Sequence, residues 1–305
     1  MNDKASIILK DIVDPVFGNC KYISNGVIEL AVTMDFGPRI ISLSCCGRDN
    51  ILYQDTSKSP LGDPIELYGG DILRLYGGHR LWISPEVLPR CYHPDNAPVT
   101  CTPIEGGLRF TAQQERHTAI QKSIDVTITG GNELTIGHSI VNCGLWDISL
   151  APWAITMLSP GGLAIMPAPQ TPAGLLPNRK LVYWEYADIN DTRFNAGRGY
   201  FTLRQDKAAP FKVGMLSREG WAAYLNRGQI FIKQFDAPCG DYPDFGCNFE
   251  AYTNEEFLEL ETLGAIQTIA PTQAMTHTER WKISLEDATP TTDDEVHNVV
   301  KGHGF

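Results

Sequence analysis

The sequence predicts an all-β protein, a large antiparallel β-sandwich built as one domain. Three observations predict it. Apolar and polar residues alternate over short runs along most of the chain, the period of half-buried strands. No run reads as an amphipathic helix of ordinary length, so the regular βαβ alternation of a parallel α/β enzyme is missing. No segment recurs at the length of a propeller blade.

Taken in order, residues 1–20 read as a short entry segment. VIELAVTM (27–34) alternates cleanly, DFGPR breaks it, and IISLSC (40–45) resumes a strand, so the start is a β-meander. Residues 54–100 are punctuated by Gly, Pro and Asp and read as a long ordered excursion, of the kind that carries function. LRFTAQQ, HTAIQKSIDVTIT and ELTIGHSIVN then form long strands turning at Gly130–Asn132, and DISLAPWAITML follows. Residues 167–199 read as a second irregular loop over the same domain. WAAYLN and QIFIKQF form a hairpin about Asn226, Arg227 and Gly228. GCNFEAYT, FLELETLG, AIQTIA and MTHTERWKISLE complete about fifteen strands. Residues 287–305 read as a C-terminal tail.

Composition narrows the function. The net charge is -11, with 43% hydrophobic and 20% charged residues. Nucleic acids and anionic membranes are bound through clustered Lys and Arg, so neither is expected as a partner; a small-molecule ligand is. The opening residues carry an acid at position 3 and only a four-residue apolar run, unlike a secretory signal. No window approaches the ~18 apolar residues of a membrane span. The eight cysteines include no C-x-x-C pair and read as free thiols of a reducing, cytoplasmic protein.

The densest group of chemistry-bearing residues is GGHRLWISPE (77–86). His79 is suited to proton transfer near neutral pH, Arg80 offers a planar fork of donors, and Trp82 a flat apolar face. Glu86 is expected to hold this stretch as a structural partner. In FLELET, alternation sends Glu259 and Glu261 to one face, where paired carboxylates supply a general base and raise one another's pKa. Glu250 and Tyr252 on a neighbouring strand add to the same surface. In HTERW, His277, Glu279 and Trp281 share a face, and Trp153 lies mid-strand in LAPWAIT. His93, His117 and His138 show no metal-ligand spacing, and no metal or cofactor is expected. The absence of a G-x-S-x-G elbow excludes an α/β-hydrolase. Arg39, Arg74, Arg80 and Arg90 are candidates to receive a phosphate.

Four segments together, SNGVIELAVTMDFGPRIISL, GGHRLWISPE, LAPWAITMLSPGG and FLELETLG…HTERW, resemble the galactose mutarotase-like (aldose 1-epimerase) superfamily, over nearly the whole chain and in its order. The resemblance implies a β-supersandwich whose concave face binds a sugar and interconverts its anomers without a cofactor. It implies His79 as acid, Glu259 or Glu261 as base, with Glu259 preferred, and Arg80, Trp82, Trp153, Tyr252 and His277 as sugar contacts. One departure stands out. The family's second histidine, its usual acid, belongs on the middle strand, where this chain reads LAPWAIT. Either His79 serves as the acid, or the protein is a non-catalytic carbohydrate-binding protein on the same scaffold. The sequence names neither the sugar nor an oligomeric state.

Overall fold

In a computed structural model, which describes residues 7–305, two large antiparallel sheets pack face to face. The acidic start read from residues 1–6 lies outside that range. The first sheet has eleven strands. From one edge they run Ile8–Asp14, Gly18–Ser24, Ile28–Thr33, Ile40–Cys45, His79–Ser84, Ile148–Leu158, Leu258–Leu263, Phe249–Thr253, Phe211–Met215 and Leu181–Tyr183; Gln267–Ile269 pairs with Ile148–Leu158 beside that path. The second sheet has ten, with Gln229–Phe235, Ala274–Leu285, Glu133–Asn142 and Ile120–Gly130 at its centre.

The expected all-β sandwich is observed, with twenty-one strands among the described residues. The strands beyond the expected set are mostly short: Leu181–Tyr183, Phe194–Ala196 and Gln267–Ile269 have three residues each, too few for an alternation to show. The space between the sheets is filled by the inward residues of both, among them Leu30, Leu81, Phe110, Ile136, Leu260 and Trp281. None of the described helices is long and apolar enough to cross a membrane.

Three segments differ from their sequence reading. The entry segment read over residues 1–20 holds the edge strand Ile8–Asp14, paired along its length with Gly18–Ser24, which begins within it. The stretch 77–86 is not a loop. His79–Ser84 is a fully buried strand in the middle of the first sheet, paired along its length with Ile148–Leu158. Buried on both faces, it shows no polar–apolar alternation. The glycines before it serve packing: a Cβ on Gly77 would stand 2.3 Å from the Tyr53 carbonyl oxygen, and one on Gly78 2.3 Å from that of Ile40. The tail reading also changes. Asp293–Gly302 is a helix with a capping box, the Thr292 side chain accepting from the Glu295 N–H while Glu295 reaches back. Its Val296 and Val300 pack on Leu163, Ile165 and Ile232.

Candidate functional site

Strand pairing decides which side chains share a face. Across the first sheet, Arg80 is opposite Ile155, which is opposite Glu261, which is opposite Glu250. One step along, Tyr252 pairs with Glu259 on one side and with Lys212 on the other. Because side chains alternate, Arg80, Trp82, Trp153, Glu259, Glu261, Glu250, Tyr252 and Lys212 all stand on the outer face of the sheet. His79, Thr156, Leu260 and Thr262 point the other way, into the sandwich.

His79 is therefore not the partner of Glu259 and Glu261. It is completely buried between the sheets, and so is the network around it. His138 donates through Nδ1 to the His277 carbonyl (2.9 Å). Its Nε2 then accepts from His79 Nε2–H at 2.7 Å, and His79 Nδ1 accepts from the Thr156 hydroxyl at 2.8 Å. Burial holds both imidazoles below their ordinary pKa, hence neutral. His277, expected at the sugar, also lies inside: its Nε2 is 2.7 Å from Thr262 Oγ1, and burial with the neighbouring His138 lowers its pKa to about 4. Glu279 completes the group, paired with Lys233 at 2.9 Å and accepting from Trp281 Nε1 at 2.7 Å. Burial would raise its pKa, but Lys233 and the imidazoles hold it far below the carboxylate range. His79, His138 and Glu279 bring one ligand atom each within 4.8 Å of one another, a spacing compatible with a metal. Here every ring nitrogen of that set has a hydrogen-bond partner and Lys233 already neutralises Glu279, so the group is complete as an internal polar network.

The outer face has a different character. Lys212 lies 2.7 Å from Glu250 and 3.0 Å from Glu261, and the Trp153 indole N–H donates to Glu261 at 2.7 Å. The ammonium sits 5.0 Å from the centre of the Trp153 ring and 4.6 Å from that of Trp184. Burial opposes its charge, but Glu261 and Glu250 together push the Lys212 pKa well above normal; burial and the charge of Glu261 push that of Glu250 up. Glu259 is partly exposed. Burial, then the charge of Glu261, raises its pKa to about 7. Trp82 and Trp153 meet edge to face with centroids 5.4 Å apart; both are buried under Leu73, Leu75, Phe257 and Tyr53. They form the floor, and partly open aromatic surface is offered by Trp184, Tyr252 and the half-exposed Tyr186, the last two edge to face.

Arg80 is 4% exposed, its guanidinium 4.1 Å above the Trp82 ring, and its Nε and Nη1 have no hydrogen-bond partner. Glu86 does not hold it; that carboxylate accepts from the Tyr92 hydroxyl. Arg39, a candidate phosphate ligand, is fully engaged: it pairs with Asp95 at 2.9 Å and donates to the carbonyls of Leu75 (2.8 Å) and Arg74 (3.2 Å). Arg74 donates to the Lys58 carbonyl and Arg90 to that of Pro85. Lys212 and Trp184 were missed by the sequence reading. Lys212 was open to inference, since FKVGM alternates and pairs beside the strand bearing Glu250 and Tyr252.

No protein-family profile and no curated protein matches the chain. Solved structures match over nearly its whole length. The Slr1438 protein of Synechocystis is 13% identical, covering 92% of this chain and 97% of that one, with a TM-score of 0.55. A galactose mutarotase-like protein of Lactobacillus casei is 10% identical, covering 92% and 100%, with a TM-score of 0.53. A TPR-domain containing protein of Parabacteroides distasonis reaches a TM-score of 0.59 at 12% identity, over 94% of this chain and 56% of that one. At such identities the likeness is one of fold: this chain has the galactose mutarotase-like supersandwich.

Proposed function

We propose that the outer face of the eleven-stranded sheet binds a sugar and interconverts its anomers, with Glu259 as the proton-transferring group. The observation that carries this reading is the pKa of Glu259, raised by burial and by Glu261 to about 7 on a partly exposed carboxylate beside Glu261 and Tyr252. A general base works best when poised near ambient pH.

The chemistry can be written with this one carboxylate. Glu259 takes the proton of the C1 hydroxyl as the C1–O5 bond breaks, leaving an open-chain aldehyde and a negative ring oxygen. Both oxygens were bonded to C1 in the closed ring and so lie close together as it opens; the newly formed carboxylic acid passes its proton to the negative O5, now held by C5 alone. Rotation about C1–C2 and the reverse steps close the other anomer and return Glu259 to its starting state. Glu261, anchored by Lys212 and Trp153, holds the neighbouring charge, while Tyr252 and Tyr186 offer apolar faces to the sugar ring.

Polarimetry or exchange NMR on fresh α-glucose, α-galactose and hexose 6-phosphates tests the reading. Anomer exchange faster than buffer is expected, with kcat/KM rising as pH increases through about 7. Glu259→Gln is expected to cost roughly 10²–10⁴-fold, the usual worth of a positioned acid–base group. Exchange no faster than buffer across the panel overturns catalysis. A second reading, a non-catalytic carbohydrate-binding protein, is favoured by the inward placement of His79 and His277 and predicts binding without turnover. Eight free thiols, four of them buried, support a reducing, cytoplasmic setting.

A further inference from the structure

The turn between Glu133–Asn142 and Ile148–Leu158 presents two large apolar side chains to solvent. Leu145 is 83% and Trp146 80% exposed, where turns ordinarily carry glycine or small polar residues. The tip is held firmly. Asn142, fully buried beneath it, donates through Nδ2 to the Trp146 carbonyl at 2.8 Å and to the Ile269 carbonyl at 3.0 Å. Its Oδ1 accepts from the Gly144 N–H at 2.9 Å. A fixed mount for an exposed indole adds nothing to this fold that a polar residue would not. It does reduce the freedom lost when the indole is bound.

The same end of the sandwich also carries a recess. Ser84 pairs with Ala151, so the chain beyond Ser84 and the chain before Ile148 leave the first sheet together. Val87 and Leu88 stand exposed there. Beside them a cavity of about 350 Å³ enters between the sheets, its apolar lining supplied by Leu67, Ile83, Pro89, Ile120, Ile148 and Leu150. Leu67 and Pro89 are exposed at the mouth, and Ile83, Ile120 and Leu150 are the buried floor. The lining holds no carboxylate and one arginine, Arg90, whose hydrogen bond, at 2.8 Å, goes to the Pro85 carbonyl. Asp147, next to Trp146, is exposed and forms no ion pair among the described residues.

One face therefore bears an apolar projection and an apolar recess, with an unpaired acid beside the first and a base in the second. We propose that a second copy of the chain docks on this face, each copy placing Leu145 and Trp146 in the other's cavity and Asp147 against the other's Arg90. A two-fold contact requires a surface that carries its own complement, and this one does. A foreign partner would use only one of the two features, and an anionic membrane is disfavoured by the net charge of -11. Trp and Arg are also the side chains that most often dominate an interface.

Sedimentation velocity on the full chain tests this. A reversible monomer–dimer equilibrium is expected with Kd of about 1–100 μM, as for a contact at the small end of specific interfaces. Trp146→Ala, at an exposed site, should keep the circular dichroism of the wild type and weaken dimerisation at least about 10-fold. Asp147→Lys should weaken it about three- to tenfold by setting two cations together, and adding Arg90→Glu should restore most of the loss. A wild-type protein that stays monomeric up to about 1 mM, ten times the weakest expected Kd, overturns the proposal. So does a monomer that binds neutral phosphatidylcholine vesicles through Trp146, which would assign the patch to lipid. A dimer indifferent to Trp146→Ala lies elsewhere and overturns it too. Failure of the charge exchange to restore association removes the pairing of Asp147 with Arg90.

Discussion

Glu259 and His79 show how far one residue's surroundings decide its chemistry. Both are ionisable groups on adjacent parts of the same sheet. Glu259 faces outward beside Glu261 and is pushed to about 7; His79 faces inward and is held neutral by burial. The difference leads to opposite expectations for substitution. His79→Gln should lower stability by about 1–3 kcal/mol, because the Thr156 hydroxyl and His138 lose a buried partner. It should leave anomer exchange within about twofold of wild type. Urea denaturation and exchange NMR on one preparation give both values. A stable His79→Gln protein without turnover would restore His79 to the chemistry.

At the scale of elements, the strand Leu258–Leu263 was legible because its alternation is strict. FLELET assigns Glu259 and Glu261 to one face from sequence alone, and the structure agrees. The strand His79–Ser84 was not legible, because all six of its residues are buried and the glycines before it resemble a loop. Once it is known as a strand, the same period-2 rule separates His79 from Arg80. That Arg80 stands on the outer face opposite Ile155, with one strand between it and Glu261, depends on strand order, which one-dimensional patterns do not encode. The C-terminal helix had a readable signal in TTDDEV, where Thr292 and Glu295 stand at capping-box spacing, but it was passed over as polar tail. That cap gives its own prediction. Thr292→Ala should destabilise the fold by about 0.5–2 kcal/mol in thermal or urea unfolding and leave sugar binding intact, because the helix packs on the second sheet, away from the outer face of the first. A change in sugar affinity would mean that the two sheets communicate.

For the whole molecule, the two polar groups pull stability in opposite directions with pH. The three imidazoles of the buried network have folded pKa values below their unfolded value, His79 and His138 by burial and His277 down to about 4; burial lowers His93, outside that network, in the same direction. In acid the unfolded chain takes up protons that the folded one refuses. Stability is lost as pH falls below about 6.5, at up to about 1.4 kcal/mol per pH unit for each histidine. Glu259 does the reverse. Its folded pKa of about 7 lies above its unfolded value, so the folded state holds a proton that the unfolded state releases, and stability is lost as pH rises from about 4.5 to 7. Glu259→Gln removes that second effect alone. The variant should be more stable than wild type by roughly 2 kcal/mol at pH 8, a value discounted for the partial exposure of the group. The gain should shrink as pH falls through 7 and vanish near pH 4.5, leaving the variant with the steeper acid loss of the three histidines. Comparing the two proteins across pH cancels the general repulsion of a chain of net charge -11. A stability difference independent of pH between 4.5 and 8 would mean that Glu259 titrates normally, and would remove the observation on which the catalytic reading rests.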